Sequence, residues 1–329
     1  MKTRNIPDTE LSPSVICLGT SSFGETINHQ DSYALMDRFL EYGGNFLDTA
    51  KVYSDWVPGE RSRSEKVIGQ WMKQRNNRSR IILATKGAHP DLDTMHIARL
   101  FKEDIAYDLE QSLQNLQTDY IDLYWLHRDD PQQPVDEIIN VLNEYVRQGK
   151  IRYFGCSNWR SERIEAAQQY ARANGLQGFA ASQTKWSLAS YRPGNDPTMV
   201  TMDDKELAYH ERTGLPAIPY NAQANGFFSG RYTIEMLQEP TAENKKVWKL
   251  CNEDNLRKLM SVKSIAERLH LTMSQVALGY MLAHPFPVFP ISGCKTADQL
   301  DDSCAAGDVV LDREAFEELR NITSSSDSK

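Results

Sequence analysis

Residues 43–53 read Gly43-Gly44-Asn45-Phe46-Leu47-Asp48-Thr49-Ala50-Lys51-Val52-Tyr53. A short apolar run, Phe46-Leu47, stops at an aspartate, and a tyrosine follows five residues later in a polar turn. Asp48 and Tyr53 therefore stand just past a strand end. The next two apolar runs, Ile81-Ile82-Leu83-Ala84 and Tyr120-Ile121-Asp122-Leu123-Tyr124-Trp125-Leu126, lead to Lys86 and His127. Asp, Tyr, Lys and His at three successive strand ends form a constellation.

Outward from this stretch, short apolar runs alternate with longer amphipathic ones. Val15-Ile16-Cys17-Leu18 is the first strand, preceded by a segment read as a hairpin over one end of the fold. Asp31 is expected to cap the first helix, which Gly43 stops. Ser62-Arg63-Ser64-Glu65 reads as a capping box for the second. Phe101, Ile105, Leu109, Leu113 and Leu116 recur at spacings of four, four, four and three and mark the apolar face of the third. Pro134 in a first turn and Gly149 past the end bracket the fourth. Ile151–Cys156 and 179–182 are the fifth and sixth strands, and Ser161 starts the helix between them. Ala217-Ile218-Pro219-Tyr220 is the seventh strand, Thr272-Met273-Ser274-Gln275 a second capping box, and Pro287-Val288-Phe289-Pro290-Ile291 the eighth strand. The alternation predicts an α/β fold, an eight-stranded parallel (β/α)8 TIM barrel with an N-terminal hairpin and an extra C-terminal helix. One domain is expected over residues 1–322, with a disordered Ser-rich tail over 323–329.

Composition narrows the functional classes. The formal net charge is −8 with basic residues scattered, which leaves no nucleic-acid footprint. No run approaches the ~20 apolar residues of a membrane span, and the first residues lack a signal-peptide core. Five cysteines without a C-x-x-C pair argue against a disulfide framework and for a reducing, cytoplasmic setting. There is no G-x-G-x-x-G and no H-E-x-x-H. A metal-dependent hydrolase built on Asp48 and His127 is disfavoured, because carboxylate and imidazole ligands are scarce at the other strand ends.

Parallel barrels carry their chemistry at the carboxyl ends of the strands. Here those positions hold Gly19-Thr20, Asp48, Lys86, His127, Ser157-Asn158, Gln183, Tyr220 and Gly293-Cys294-Lys295, above largely apolar strand interiors. Each residue alone has a bland reading: a turn aspartate, an exposed tyrosine, a loop histidine. Together they suit proton donation to a carbonyl. A free tyrosine titrates near 10, a lysine ammonium beside it favours the phenolate, and an aspartate holds the lysine in place. Fixed donors stabilise the charge that grows on a carbonyl oxygen as hydride arrives.

At these motifs the sequence resembles the aldo-keto reductase superfamily. The resemblance rests on Gly44–Ala50 with Tyr53, Ala84-Thr85-Lys86-Gly87, Thr118–His127 and Gly149–Trp159, and runs from about residue 4 to about residue 319. It implies Tyr53, Asp48, Lys86 and His127 as catalytic tetrad and a nicotinamide dinucleotide as cofactor. It places Ser157, Asn158 and Gln183 on the nicotinamide amide, Gly19 and Thr20 in the same mouth, and Trp186 where the family stacks a tyrosine on the ring. The loop Tyr220–Gly230, with Asn221, Gln223, Gly226 and Ser229, resembles the one that crosses the pyrophosphate, although Asn221-Ala222-Gln223 departs from the usual Ser-Pro-Leu. Gly293, Lys295, Gln299, Asp302 and Ser303 match the adenosine motif. Lys295 argues for NADPH/NADP. Gln299, where many members have arginine, leaves NADH/NAD open. Phe23 and Trp56 are the expected substrate-binding aromatics for an aldehyde, ketone or sugar. The resemblance also allows a second reading, a nicotinamide-cofactor-sensing regulatory subunit with little turnover. The oligomeric state is not legible.

Overall fold

The computed structural model describes residues 1–191 and 196–322; the tail expected to be disordered lies outside the described residues. The strands are β1 (Cys17–Gly19), β2 (Phe46–Asp48), β3 (Ile82–Gly87), β4 (Ile121–Leu126), β5 (Ile151–Ser157), β6 (Ser182–Gln183) and β7 (Ile291–Ser292). All pair in parallel, in the order β6-β5-β4-β3-β2-β1-β7. Among the described residues, eleven α-helices accompany them: α1 (His29–Glu41), α2 (Arg63–Arg75), α3 (Lys102–Leu116), α4 (Val135–Arg147), α5 (Ser161–Ala173), α6 (Asp204–Thr213), α7 (Lys245–Trp248), α8 (Glu253–Leu269), α9 (Met273–Leu282), α10 (Ala297–Ala306) and α11 (Arg313–Arg320).

The expected seventh strand is where the count changes. Residues 217–220 form single bridges rather than a ladder, and of the expected eighth strand 287–291 only Ile291 enters β7, while Val288 makes a single bridge to Ala217. Prolines explain this, because Pro216, Pro219, Pro287 and Pro290 have no N–H to donate. The ring still closes. Ile218 and Tyr220 donate to the Ser182 and Thr184 carbonyls at 2.9 and 3.1 Å, while Ala217 donates to Pro287 and Phe289 to Ala217, both at 2.9 Å.

Side chains alternate across this wall. Leu18, Leu47, Leu83, Tyr124, Leu126 and Phe154 face outward into the helix layer. Cys17, Phe46, Ala84, Leu123, Trp125, Ala181, Ile218 and Phe289 form the inner cluster, joined from below by Ile6 and Leu11. Those two belong to the expected N-terminal hairpin, where Ile6 N–H donates to Leu11 and Arg4 N–H to Pro13, both at 3.0 Å.

Several local expectations change. Asn28, not Asp31, caps α1: its Oδ1 accepts the Asp31 N–H at 2.9 Å, leaving Asp31 in the first turn where a negative charge suits the helix dipole. Ser62 is left-handed and makes no side-chain cap, so no capping box forms at α2. Glu65 instead turns inward, where its oxygens accept from Thr85 at 2.6 Å and Asn115 at 2.9 Å. Phe101 precedes α3 and is exposed, and Pro134 stands at the N-cap of α4 rather than inside it. The second capping box, Thr272 with Gln275, is present.

Gly69 is where α2 approaches α3. A Cβ there would lie 2.3 Å from the Asn115 carbonyl oxygen and 2.8 Å from the Leu116 Cα, both backbone atoms that cannot move aside alone. Alanine gains about 1 kcal/mol of helix propensity over glycine, but overpacking of this kind costs about 1–3 kcal/mol. Gly69→Ala should therefore destabilise the protein by up to about 2 kcal/mol, seen as a lower urea midpoint. An unchanged or higher midpoint would show that the two helices separate freely.

Candidate active site

The inward-facing series does not stop at the apolar floor. Two residues beyond Phe46 comes Asp48, beyond Ala84 comes Lys86, and beyond Trp125 comes His127. Likewise Ser157 follows Gly155, Gln183 follows Ala181, and Tyr220 follows Ile218. The site is the uppermost layer of the barrel filling, set by strand parity.

Lys86 organises it. Its buried Nζ donates to Asp48 Oδ2 at 2.5 Å, to the Thr49 carbonyl at 2.7 Å and to Tyr53 Oη at 2.9 Å, satisfying all three ammonium protons. Asp48 accepts on its other oxygen from Gln183 Nε2 at 3.0 Å. Burial works against the charge on Lys86, yet Asp48 and Tyr53 outweigh it and hold its pKa above the ordinary lysine value. For Tyr53, burial outweighs the nearby ammonium, so its pKa is raised. The lysine thus does not yield a phenolate at rest, as its charge alone would suggest. The hydroxyl keeps its proton.

His127 stands across from the phenol, with ring centroids 6.1 Å apart. Burial, followed by His89, Arg128 and Lys86, drives its pKa well below the ordinary value, so the imidazole is neutral. His89 presents its ring at 4.7 Å, and no described group bonds His127 Nδ1. Trp56, 50% exposed, lies on the rim beside Tyr53 with centroids 6.3 Å apart.

Asp48, Tyr53 and His127 open into a cleft of about 960 Å³ that extends to Lys295, Gln299 and Asp302, with Trp56 outside its lining. Gly19, Thr20, Ser157, Asn158, Gln183, Tyr220, Asn221, Gln223, Gly226, Ser229 and Gly293 all line it. Within the loop after Tyr220, Asn221, Ala224, Asn225 and Gly226 have left-handed backbones. The Asn158 amide is fully engaged. It donates to the His127 carbonyl at 3.3 Å and Ser157 Oγ at 3.1 Å, and accepts from Val200 N–H at 3.1 Å and Tyr220 Oη at 2.8 Å. Asp302 accepts from Thr272 at 2.7 Å and Gln275 at 2.9 Å.

Three expectations are corrected. Phe23 is 0% exposed and packs with the outer core, so Ser21, Ser22 and Ile27 present the first loop to the cleft instead. Trp186 has outward parity: Lys185 lines the cleft, while Trp186 stacks on Phe286 with centroids 6.0 Å apart and meets His284 at 4.8 Å. Tyr220 presents an aromatic ring to the cleft. Ser303 is buried behind the wall, bonded to Ser292 Oγ at 2.9 Å and Gln223 Nε2 at 3.1 Å. Sequence reasoning missed Arg128, Lys185, Met199, Arg231 and Lys246, which also line the cleft. Arg128 was detectable by the rule that singled out Lys86, a cation beside a strand end.

Among the described residues there is no cluster of His, Cys, Asp and Glu able to hold a metal ion, and no helix is long and apolar enough to cross a membrane. Comparison with known proteins agrees with this fold. A chain titled as the thermostable aldo-keto reductase Tm1743, in complex with the inhibitor epalrestat, superposes with a TM-score of 0.72 at 22% identity, over 98% of this chain and 100% of that one; this likeness concerns the fold. Norsolorinic acid reductase stcV of Emericella nidulans is 30% identical over 94% of this chain and 78% of its own length. The uncharacterized oxidoreductase YrpG of Bacillus subtilis is 31% identical over 95% and 93%. With residues 15–324 also matching the model of the Aldo/keto reductase family, the chain belongs to that family of oxidoreductases.

Proposed function

We propose that this protein interconverts an aldehyde or ketone and the corresponding alcohol with a nicotinamide dinucleotide, Tyr53 passing the proton. The observation that carries the reading is the triple donation from Lys86 to Asp48, Thr49 and Tyr53, facing a neutral His127 across the cleft. A reduced nicotinamide, when bound, supplies the hydride. Tyr53 Oη holds the proton to be given to the carbonyl oxygen, while Lys86 fixes the hydroxyl and stabilises the phenolate left behind. Neutral His127 is placed to hydrogen-bond the same oxygen. In oxidation, Tyr53 takes the alcohol proton.

The residues fit such a cofactor. Tyr220 offers a flat ring, Ser157 and Gln183 polar groups, the Asn221–Ser229 loop a run of left-handed backbone, and Lys295 a cation at the far end. Lys295 favours NADPH/NADP, with NADH/NAD as the comparison. The Emericella nidulans relative, named as a reductase, supports the reducing direction.

The test is a panel of aldehydes, ketones, keto sugars and sugar alcohols with each cofactor, followed by nicotinamide absorbance. Binding of cofactor without turnover of any member would favour the sensing subunit. The pH profile adds a sharper expectation. Tyr53 titrates above its ordinary ~10 and His127 well below ~6.5. The hydride-transfer step of reduction should therefore be flat between about pH 6.5 and 9, where the acid stays protonated. Oxidation should rise about tenfold per pH unit over the same range, because the base form becomes more populated. A reduction rate halving near neutrality in single-turnover measurements would contradict these assignments.

A further inference from the structure

The cleft holds cations that the proton-transfer chemistry leaves without a task. Arg231, Lys246 and Lys295 lie on the side of the loop after Tyr220 and of β7. Arg128 follows β4. Around the closed ring, β4 and β7 are separated by β3, β2 and β1 one way, and by β5, β6 and the 217–220 segment the other. Arg128 therefore faces Lys295 across the mouth and stands with His127 on the opposite wall.

Among the described residues, no carboxylate bonds Arg128 directly. Nη1 donates to the His127 carbonyl at 3.0 Å and Nε to Thr198 Oγ1 at 3.2 Å, while no described residue accepts from Nη2. Asp129 pairs with Arg163 at 3.0 Å, and Asp196 reaches Arg128 through the Thr198 hydroxyl, from which it accepts at 2.6 Å, so this carboxylate offsets the guanidinium charge at one remove and without touching it. Residues 192–195, outside the described set, include no acidic residue. Lys185, on the same side of the cleft, sits over the Tyr191 ring at 4.2 Å and forms no ion pair among the described residues. A partly buried guanidinium without a directly bonded counter-charge is costly, and a planar fork with N–H groups that no described residue accepts matches two oxygens of one anion.

We infer that the substrate carries an oxyanion, a carboxylate or phosphate, which Arg128 grips beside the reacting carbonyl with Lys185 adding charge. This deepens the carbonyl-reductase reading and rests on it. The experiment uses matched pairs with NADPH: 4-carboxybenzaldehyde against its methyl ester, and glyceraldehyde 3-phosphate against glyceraldehyde. In one pair at least, the charged member should be preferred by about tenfold or more in kcat/KM, mainly through KM. Arg128→Gln should reduce that preference to about twofold or less, Arg128→Lys should restore part of it, and Thr198→Val should keep it. The first pair reports a carboxylate site and the second a phosphate site. No preference in either pair, or a preference that survives Arg128→Gln, overturns the inference. Calorimetry on the NADP-loaded protein separates it from the broader reading, using benzoate against benzamide and inorganic phosphate against sodium chloride at equal ionic strength. If no aldehyde is reduced, the carbonyl-reductase reading fails. Anion binding that Arg128→Gln weakens about tenfold then sustains the site, and binding indifferent to the substitution removes it.

Discussion

Replacing Tyr53 with phenylalanine is expected to lower kcat for carbonyl reduction by about 10²–10⁴-fold while the cofactor dissociation constant changes by less than about threefold. The substitution keeps the ring against Trp56 and His127 and removes only the hydroxyl. Lys86 then keeps Asp48 and the Thr49 carbonyl as partners, so the buried charge stays compensated. The loss should fall on the chemical step, which single-turnover measurement with saturating cofactor isolates. A variant that retains full activity on a good substrate would remove Tyr53 as the acid, leaving His127 to be tested in that role.

Lys86→Met should be more damaging, because it acts on folding as well as chemistry. Lys86 and Asp48 are each 1% exposed, and the substitution leaves the carboxylate buried with Gln183 as its one remaining side-chain donor among the described residues. Breaking a buried pair from one side costs about 3–5 kcal/mol. The Thr49 carbonyl also loses its donor. Combining Lys86→Met with Asp48→Asn removes the unpaired charge and should recover more than half of the lost stability, while activity stays low in both. The check is urea unfolding of the two single variants and the double variant. If Lys86→Met alone is as stable as the parent, the ion pair is not the element that holds this layer together.

The contrast between these two variants also explains what was readable beforehand. Asp48, Tyr53, Lys86 and His127 announce themselves because charged and polar groups are rare directly above apolar strands, and because they occur at consecutive strand ends. The barrel was legible from alternation for β1 to β5, whose runs are continuous. It was less so where Pro216, Pro219, Pro287 and Pro290 replace a ladder by isolated bridges, since the apolar pattern persists when the donors are missing. Trp186 was misplaced through parity. Counting in twos from Ala181 reaches Gln183 and Lys185 on the inner face and puts Trp186 outside, whereas matching a motif ignores which side of the wall a residue occupies. Phe23 failed for a different reason: Ser22 accepts the Ile27 N–H at 3.0 Å, folding the loop so that the ring points into the outer core, and turns of that kind leave no periodic trace. Glu65 fitted a helix-start pattern whose local bonds lost to Thr85 and Asn115 on neighbouring elements.

The proline-bounded seam has a consequence for the protein when it is only partly folded. Parting the ring there would bare two strand edges, β6 and β7, but each is two residues long. The 216–219 and 287–290 stretches beside them lack half of the N–H groups needed to recruit another chain. Short edges interrupted by proline are poor templates for cross-molecular pairing. The weakest closure of the wall is thus also the one least able to seed aggregation.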